Sequence, residues 1–579
     1  MPPMAWRPIH LICYCILFAV CDITNADGAE TNPFKTPKVT DPKNVGGLEH
    51  NFYETNFEGA WELIIANAGV SSMHMALFHT NKVLMFDSTA FGPSQIPLPN
   101  GKCRPVPKKP KEKDCWSHAI MYDLVTGKIR PLMIYTDTWC SSGSFSPEGI
   151  LVQTGGWNDG GRAVRYLEGC DTCDWREYPV ALSGQRWYSS QQILPNGGYV
   201  VFGGRRMFSY EYVPPEGKTN PQKSDTPLAL LRETTDIYEN NLYPFVHLST
   251  DGNIFVFANN RSILLNLKTN KVVKEFPVLA GGSRNYPGSG MSAMLPIKLR
   301  VINPPVIPVE VLVCGGGQYP AFKLAEKNIF LPALDSCGKI EITAPNAQWE
   351  MDRMPAPRVM ADMLNLPTGE ILMINGAKKG ASGWQFAEEP YYAPVLYRPW
   401  LPLGQRFREL TPSKIPRMYH STAGVLPDGK ILVAGSNTNS AYNFTGVRYP
   451  TELRVEKFSP WYMDPIIALK RPVITTRLAN LGTLKYGMKF LVDFAMPQDT
   501  NHKEQVKVFM YAPPFTTHGY SQNQRILELA VKRFIGVSPG RYRLRVFAPP
   551  SAVIAPPGYY LLNVLYRGLP SKAEWVKIA

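Results

Sequence analysis

At 579 residues, with 44% hydrophobic and 19% charged side chains, the chain is long enough for a large core and more than one domain, and its balance is that of a globular protein. The 46 Gly and 53 Pro are spread along it, which fits many short strands joined by turns, and no long amphipathic helical segment occurs. The net charge of +14 suits attraction to an acidic polymer, but no nucleic-acid motif accompanies it, so nucleic acid is not an expected partner.

Arg7 precedes an apolar run at residues 11–20, broken only by Cys and Tyr, and small or polar residues follow to Gly28. That is the form of a secretory signal peptide over residues 1–26, with cleavage after Cys21 or Ala26 fitting equally. The run is short for a membrane span, and no later segment has the length of a transmembrane helix. The mature protein is therefore expected to be soluble and secreted, in the cell wall or apoplast if the chain comes from a plant. Residues 27–57 are polar and Pro-rich and read as a lead-in segment.

From Trp61 a β pattern begins. Seven segments share a polar turn followed by an apolar strand, at residues 78–86, 146–156, 195–204, 251–257, 309–316, 368–376 and 427–435. Their spacing of about 50 to 65 residues is close to the kelch repeat, and several end in Gly-Gly, a further kelch feature. Each unit is one sheet that cannot bury its faces alone, so neighbours must stack around an axis. The predicted architecture is all-β: a seven-bladed kelch-type β-propeller over residues 58–462. Residues 463–579 show alternating strands at 489–494, 506–510, 542–546 and 559–564, which suits an immunoglobulin-like β-sandwich. One loop stands out there, 513–519 followed by Asn523, Gln524 and Arg525.

The repeats carry unusual residues at one shared position. Nine residues before the turn glycines Gly149, Gly197 and Gly429 stand Cys140, Tyr188 and His420, with Tyr419 beside the last. Tyr243 and Met360 hold the same position before Gly252 and Gly369, where they line the same cavity or plug it. Superposed repeats would gather these side chains at one end of one axis. Cysteine arithmetic adds to this. Beyond the signal segment, Cys103 with Cys115, Cys170 with Cys173, and Cys314 with Cys337 are the local pairings expected of an exported protein. Cys140 is left over, in the repeat frame. Asn260 and Asn443 are glycosylation acceptors in form. The densest basic run, residues 108–113, is either a solvated loop or a contact for an acidic wall polysaccharide.

Two imidazoles, His420 and His518, with the phenols of Tyr188 and Tyr419 make a nitrogen and oxygen ligand set that suits Cu(II). Cys140 and Tyr188 fall in consecutive repeats, so a thiol and a phenol could touch, an oxidisable pair near copper. Equally, Cys140 could be a buried small hydrophobe and His420 a structural histidine. No G-x-S-x-G, H-E-x-x-H or P-loop is present.

Four motifs then carry a resemblance: T-W-C-S-S-G around Cys140, R-W-Y-S-S around Tyr188, R-M-Y-H-S at Tyr419 and His420, and T-T-H-G at His518. Over about residues 50–579 the chain resembles the copper radical oxidases, most closely the glyoxal oxidase branch with its plant aldehyde oxidases, and galactose oxidase more distantly. The resemblance implies a single copper ion held by Tyr188, Tyr419, His420 and His518, and a Cys140–Tyr188 thioether whose phenol holds the radical. It implies that Tyr419 is the axial tyrosine and takes the substrate hydroxyl proton, that the Tyr188 radical removes a hydrogen atom from carbon, and that dioxygen leaves as hydrogen peroxide. His518 would reach the propeller channel on a loop of the C-terminal domain. Galactose oxidase carries a tryptophan over its cross-linked tyrosine, just past the next Gly-Gly. Arg205 and Arg206 stand there instead, and few residues precede the propeller, so no N-terminal carbohydrate-binding domain is expected.

The expected function is a secreted oxidase, working as a monomer, that turns simple aldehydes and O2 into carboxylic acids and hydrogen peroxide. The alternatives are a primary-alcohol oxidase using the same residues on a sugar or aryl alcohol, and a non-catalytic kelch propeller that binds wall polysaccharide and needs neither copper nor Cys140.

Overall fold

Apolar strands joined by Pro-Asp-Gly and Pro-Asn-Gly turns have two faces to bury. In the computed structural model they do so as seven four-stranded antiparallel blades, one of the sheets being extended by a hairpin from elsewhere in the chain. Residues 52–579 are described apart from 54, 108 and 498–502; the signal segment 1–26 and most of the 27–57 lead-in lie outside the described residues. The innermost strands of blades one to seven are His74–Leu77, Ser142–Phe145, Ser189–Ile193, Phe245–Leu248, Met291–Met294, Asp362–Asn365 and Thr422–Val425. The second strands, such as Leu151–Thr154, Tyr199–Gly203 and Ile254–Ala258, are buried throughout, because a neighbouring blade covers each face.

Blade seven closes the ring. Its outermost strand is Ala60–Ile65, the first strand of the described chain, paired antiparallel with Val455–Ser459. The start of the β pattern at Trp61 thus belongs to the last blade, a long-range pairing with no signature in the repeat. Blade five also departs from the frame. In place of a tight turn, its connection carries Ile297–Lys298 out to pair in parallel with Arg525–Glu528 of the C-terminal domain.

Five buried arginines brace the ends of the second strands. Arg165, Arg186, Arg284, Arg358 and Arg417 donate from Nη1 to the carbonyls of Gly155, Gly203, Gly315, Asn375 and Gly435. All five acceptors have positive φ, so the chain leaves the ladder there and the carbonyl needs a new donor. At Gly155 a Cβ would lie 2.1 Å from the Arg186 carbonyl oxygen, which explains the glycine. The three local disulfides are present, and Cys140 is buried and unpaired. The basic run forms part of an exposed hairpin, Arg104–Val106 with Lys109–Asp114, where Lys109 pairs with Glu112 at 3.1 Å; Lys108 lies outside the described residues.

The C-terminal residues form two packed sheets. Lys489–Ala495 and Arg541–Phe547 alternate, turning Phe490, Val492, Phe494, Tyr542, Leu544 and Val546 inward. They meet Val508, Met510, Leu562 and Val564 of the opposite sheet, and the same core runs on into Phe257, Ile297 and Val311 of the propeller.

The hairpin Phe515–Thr517 and Tyr520–Gln522 leaves this domain and enters the channel. It adds to the inner edge of blade one, with Thr517 opposite His74 and Phe515 opposite Ala76. Its side chains serve the open backbone edges of other blades. Gln522 accepts from Gln191 N, while Asn523 accepts from Ile193 N and donates to the carbonyls of Gly143 and Gln191. Gln524 accepts from Asn365 N at 2.9 Å and donates to Met363 O at 2.8 Å, and Arg525 donates to Leu248 O. The Tyr520 hydroxyl exchanges bonds with both Val246 N and Val246 O. Gln524→Ala leaves two buried backbone groups without partners, at about 1–3 kcal/mol each. A lowered denaturant midpoint with unchanged far-ultraviolet spectrum is the expected result; an unaltered midpoint would contradict the bracing role.

Candidate active site

Each blade after the first begins with a residue in the left-handed region. Cys140, Tyr188, Tyr243, Ser289, Met360 and His420 all have positive φ, between 41° and 66°. For non-glycine residues this costs roughly 1–2 kcal/mol each, so the surroundings must hold them there. Hydrogen bonds around the ring help: Tyr188 N donates to Cys140 O, Tyr243 N to Tyr188 O, and Met360 N to Ser289 O. The reversed turn aims side chains at the axis, which is the structural content of the nine-residue frame. Ser289 fills the position in blade five, where the frame was hidden because the turn glycine is replaced by the long connection.

His518 arrives by the same device. Thr517 pairs with Tyr520, so His518 and Gly519 form a two-residue hairpin loop, with φ of 51° and 76°. A Cβ on Gly519 would lie 2.7 Å from Ala361 O. The loop tip therefore presses against blade six and points the imidazole across the channel.

Cys140, Tyr188, Tyr419, His420 and His518 lie together in this buried centre. The reactive side-chain atoms of Cys140, His420 and His518 are all within 4.8 Å of one another, with Cys140 Sγ 3.2 Å from His518 Nε2. His518 Nδ1 shares a 2.6 Å hydrogen bond with Thr517 Oγ1, leaving Nε2 toward the axis. The His420 ring lies between Tyr419, at 3.7 Å, and Phe91, at 5.7 Å, with its edge toward His518. Neither His420 nitrogen has a protein partner although both are buried. A neutral imidazole with neither nitrogen hydrogen-bonded to protein has its lone pair free for a ligand.

Tyr286 was not singled out from the sequence. Its hydroxyl stands between the other two phenols, 3.2 Å from Tyr188 Oη and 2.9 Å from Tyr419 Oη. A signal did exist: Arg284-Asn285-Tyr286 repeats the Arg-x-Tyr of Arg186-Trp187-Tyr188 and Arg417-Met418-Tyr419, with the same buried arginine. Tyr243 and Met360 form part of the wall. The Tyr243 hydroxyl is committed to Ser141 O at 2.9 Å. A further buried imidazole, His74, is held by Ser141 Oγ and stacked on Phe86, and burial pushes it down to about 3.

Burial also sets the ionisation of the centre. It holds His420 and His518 well below the usual histidine value, each further lowered by a neighbouring imidazole, so both are neutral with lone pairs available. It pushes Tyr188 and Tyr419 well above 10, with Cys140 and the adjoining phenols adding to the effect. Two neutral imidazoles and two phenols that ionise only beside added positive charge are a donor set for a divalent transition metal, and an ion there would reverse the phenol shifts.

An indole does lie against Tyr188, although none follows Gly203–Gly204. Trp187, the preceding residue, packs on the Tyr188 ring with centroids 4.7 Å apart. Arg205 lies over the far side of this group, its guanidinium 5.5 Å from the Trp187 centroid.

Comparison with known proteins identifies the family. Residues 73–462 match the family described as glyoxal oxidase N-terminus, and residues 471–578 the galactose oxidase-like early set domain. The chain is 52% identical to aldehyde oxidase GLOX1 of Arabidopsis thaliana, over 91% of this chain and 85% of that protein. It is 44% identical to aldehyde oxidase GLOX of Vitis pseudoreticulata, over 90% and 97% respectively. A solved fungal alcohol oxidase in complex with copper shares the fold, with TM-score 0.67 and 18% identity, covering 90% of this chain and all of that one.

Because both imidazoles are already neutral while Tyr188 and Tyr419 must lose protons to hold an ion, the copper affinity of the apoprotein is expected to rise across about pH 5.5 to 7, roughly tenfold per pH unit for each phenol that ionises on binding. Chelator competition measures this, and an affinity unchanged over that interval would show that neither phenol ionises on binding.

Proposed function

Because the chain belongs to the glyoxal oxidase family, we propose that it is a copper radical oxidase, converting simple aldehydes to carboxylic acids while O2 is reduced to hydrogen peroxide. The observation that carries this reading is the convergence, at one buried point, of two neutral imidazoles, His420 with both nitrogens unpartnered and His518 with Nε2 beside the Cys140 sulfur, two phenols and an unpaired thiol. His420, His518, Tyr188 and Tyr419 would hold the ion. The chemistry supplied by a bound copper ion is one-electron acceptance, the second oxidising equivalent beside the tyrosyl radical.

The residues divide the remaining work. Cys140 would join Tyr188 through a thioether, the thiol and ring hydrogens passing to O2 as hydrogen peroxide, and this bond would spread the unpaired electron over sulfur and ring. The aldehyde enters as its hydrate. Tyr419 takes a hydroxyl proton, and Tyr188 takes the hydrogen atom from carbon. Tyr286, hydrogen-bonded to both phenols, keeps their oxygens on one side of the centre. The surrounding rings of Phe91, Trp139 and Tyr243 exclude water from the radical. Overall, hydrated aldehyde and O2 give carboxylic acid and hydrogen peroxide, with atoms and electrons balanced.

Secretion through residues 1–26 is part of the same reading. Three disulfides support an oxidising compartment, and the +14 charge supports attraction of a monomer to acidic wall polysaccharide.

Copper-loaded, oxidised protein is expected to release peroxide from methylglyoxal under oxygen. Peptide mapping should find Cys140 and Tyr188 joined, lighter by two hydrogens and resistant to reductant. A free Cys140 thiol after copper loading would refute the radical site. Tyr419→Phe should lower kcat by about 10²-fold or more while the cross-link still forms; equal loss of the cross-link would assign Tyr419 to assembly rather than proton transfer.

A further inference from the structure

We propose that the indoles at the mouth of the site form an electron port, through which a one-electron acceptor in solution oxidises Tyr188 without entering the centre. This rests on the reading of Tyr188 as the radical site. Trp187 lies 4.7 Å from the Tyr188 ring, and Trp139 lies 5.3 Å from Trp187, centroid to centroid. Trp139 is the hub. It meets Trp157 at 5.6 Å and Trp384 at 5.3 Å, the latter nearly parallel at 20°. Tyr188 and Trp139 are only 5% and 8% exposed, whereas Trp157 and Trp384 are 37% and 38% exposed. An unbroken file of rings therefore joins the buried phenol to solvent. Electron transfer weakens steeply with distance, so contacting rings are the favoured path.

The file is assembled from four separate stretches. Trp139 and Trp187 precede the left-handed residues Cys140 and Tyr188, and Trp157 follows Gly155–Gly156. Trp384 sits in the loop of a hairpin, Ala377–Gly380 with Ala387–Pro390, inserted in blade six, and it stacks on an indole from blade two. Packing alone does not call for indoles that leave more than a third of their surface in water.

The indole nitrogens suit the role. A buried tryptophan N–H usually finds a partner, but Nε1 of Trp139 and Nε1 of Trp187 have none of normal geometry. The Cys140 sulfur, on the Trp187 side, is at best a weak acceptor. An oxidised indole becomes acidic. With no base to take the proton, these two would carry an electron vacancy without losing it, and would recover by electron return alone. Arg205 over Trp187, itself paired with Glu239 at 2.8 Å, disfavours a resting positive charge there. The vacancy settles instead on Tyr188, which is a phenolate once a bound cation has displaced its proton and which becomes a neutral phenoxyl. The step balances: the acceptor gains one electron, Tyr188 loses one, and no bond is made or broken. Arg205 and the exposed Arg206 favour an anionic acceptor.

The test uses copper-loaded, cross-linked protein, reduced at Tyr188 and mixed with hexachloroiridate, an anionic outer-sphere oxidant. The rate at which phenoxyl absorption appears is the readout. In Trp139→Phe combined with Trp157→Phe, which keeps the rings but removes both indoles that lead on from Trp187, the rate is expected to fall on the order of tenfold, with copper content and the cross-link unchanged. Should that variant fail to fold, Trp157→Phe combined with Trp384→Phe carries the same expectation. Normal formation in wild type with an unaltered rate in the variants overturns the port alone. No phenoxyl in cross-linked wild type overturns the reading of Tyr188, and the port with it.

Discussion

The centre depends on how a ring of blades disposes of its open inner edges. Seven innermost strands face a channel, and each presents backbone N–H and C=O groups that a dry interior cannot leave unpaired. The C-terminal hairpin answers this for blade one by strand addition, and for blades two, three, four and six through Tyr520, Gln522, Asn523, Gln524 and Arg525. Amides and a guanidinium are apt because they satisfy donors and acceptors at several angles, which a regular strand cannot do toward five blades at once. The same bonds set the depth and rotation of the tip. His518 owes its position to them, so the imidazole from the second domain is as well fixed as the side chains from the propeller.

The second constraint is the left-handed start of each blade. Placing Cys140, Tyr188 and His420 in that region strains the backbone, yet it turns the following strand away while the side chain faces the axis. Inter-blade hydrogen bonds and complete burial offset the strain. Burial in turn decides the chemistry. It keeps the imidazoles neutral and the phenols protonated, a state that is poorly adapted to any reaction by itself and well adapted to receive a cation. A site tuned this way has its metal-free and metal-bound states separated mainly by proton count.

The rim of the site follows a different logic. Within the centre, rings pack closely around polar atoms that await a ligand. At the rim, Trp157 and Trp384 meet water, and Arg205 and Glu239 form an ion pair beside them. The centre thus communicates with solvent through aromatic contact on one side, while the hairpin and the second domain seal the other.

The repeat was legible in the chain because its parts are local. The turn glycines Gly149, Gly197 and Gly429 lie a constant nine residues from Cys140, Tyr188 and His420, and a constant offset within a repeat must become a constant place in a blade. Strand alternation at Phe490, Val492 and Phe494 likewise announced a sandwich, since a period of two reflects one buried face. Less was visible where partners are distant. That Ala60–Ile65 completes the last blade, that Tyr286 bridges two phenols from other blades, and that Trp384 crosses to Trp139 are pairings between remote segments. The amino-acid sequence by itself determined the propeller, the sandwich and the residues able to bind a metal, because periodicity and residue chemistry are properties of short stretches. Only the tertiary structure decided that His518 points at the others and that indoles line the way out, because both depend on contacts whose geometry exists only once the ring has closed around the hairpin.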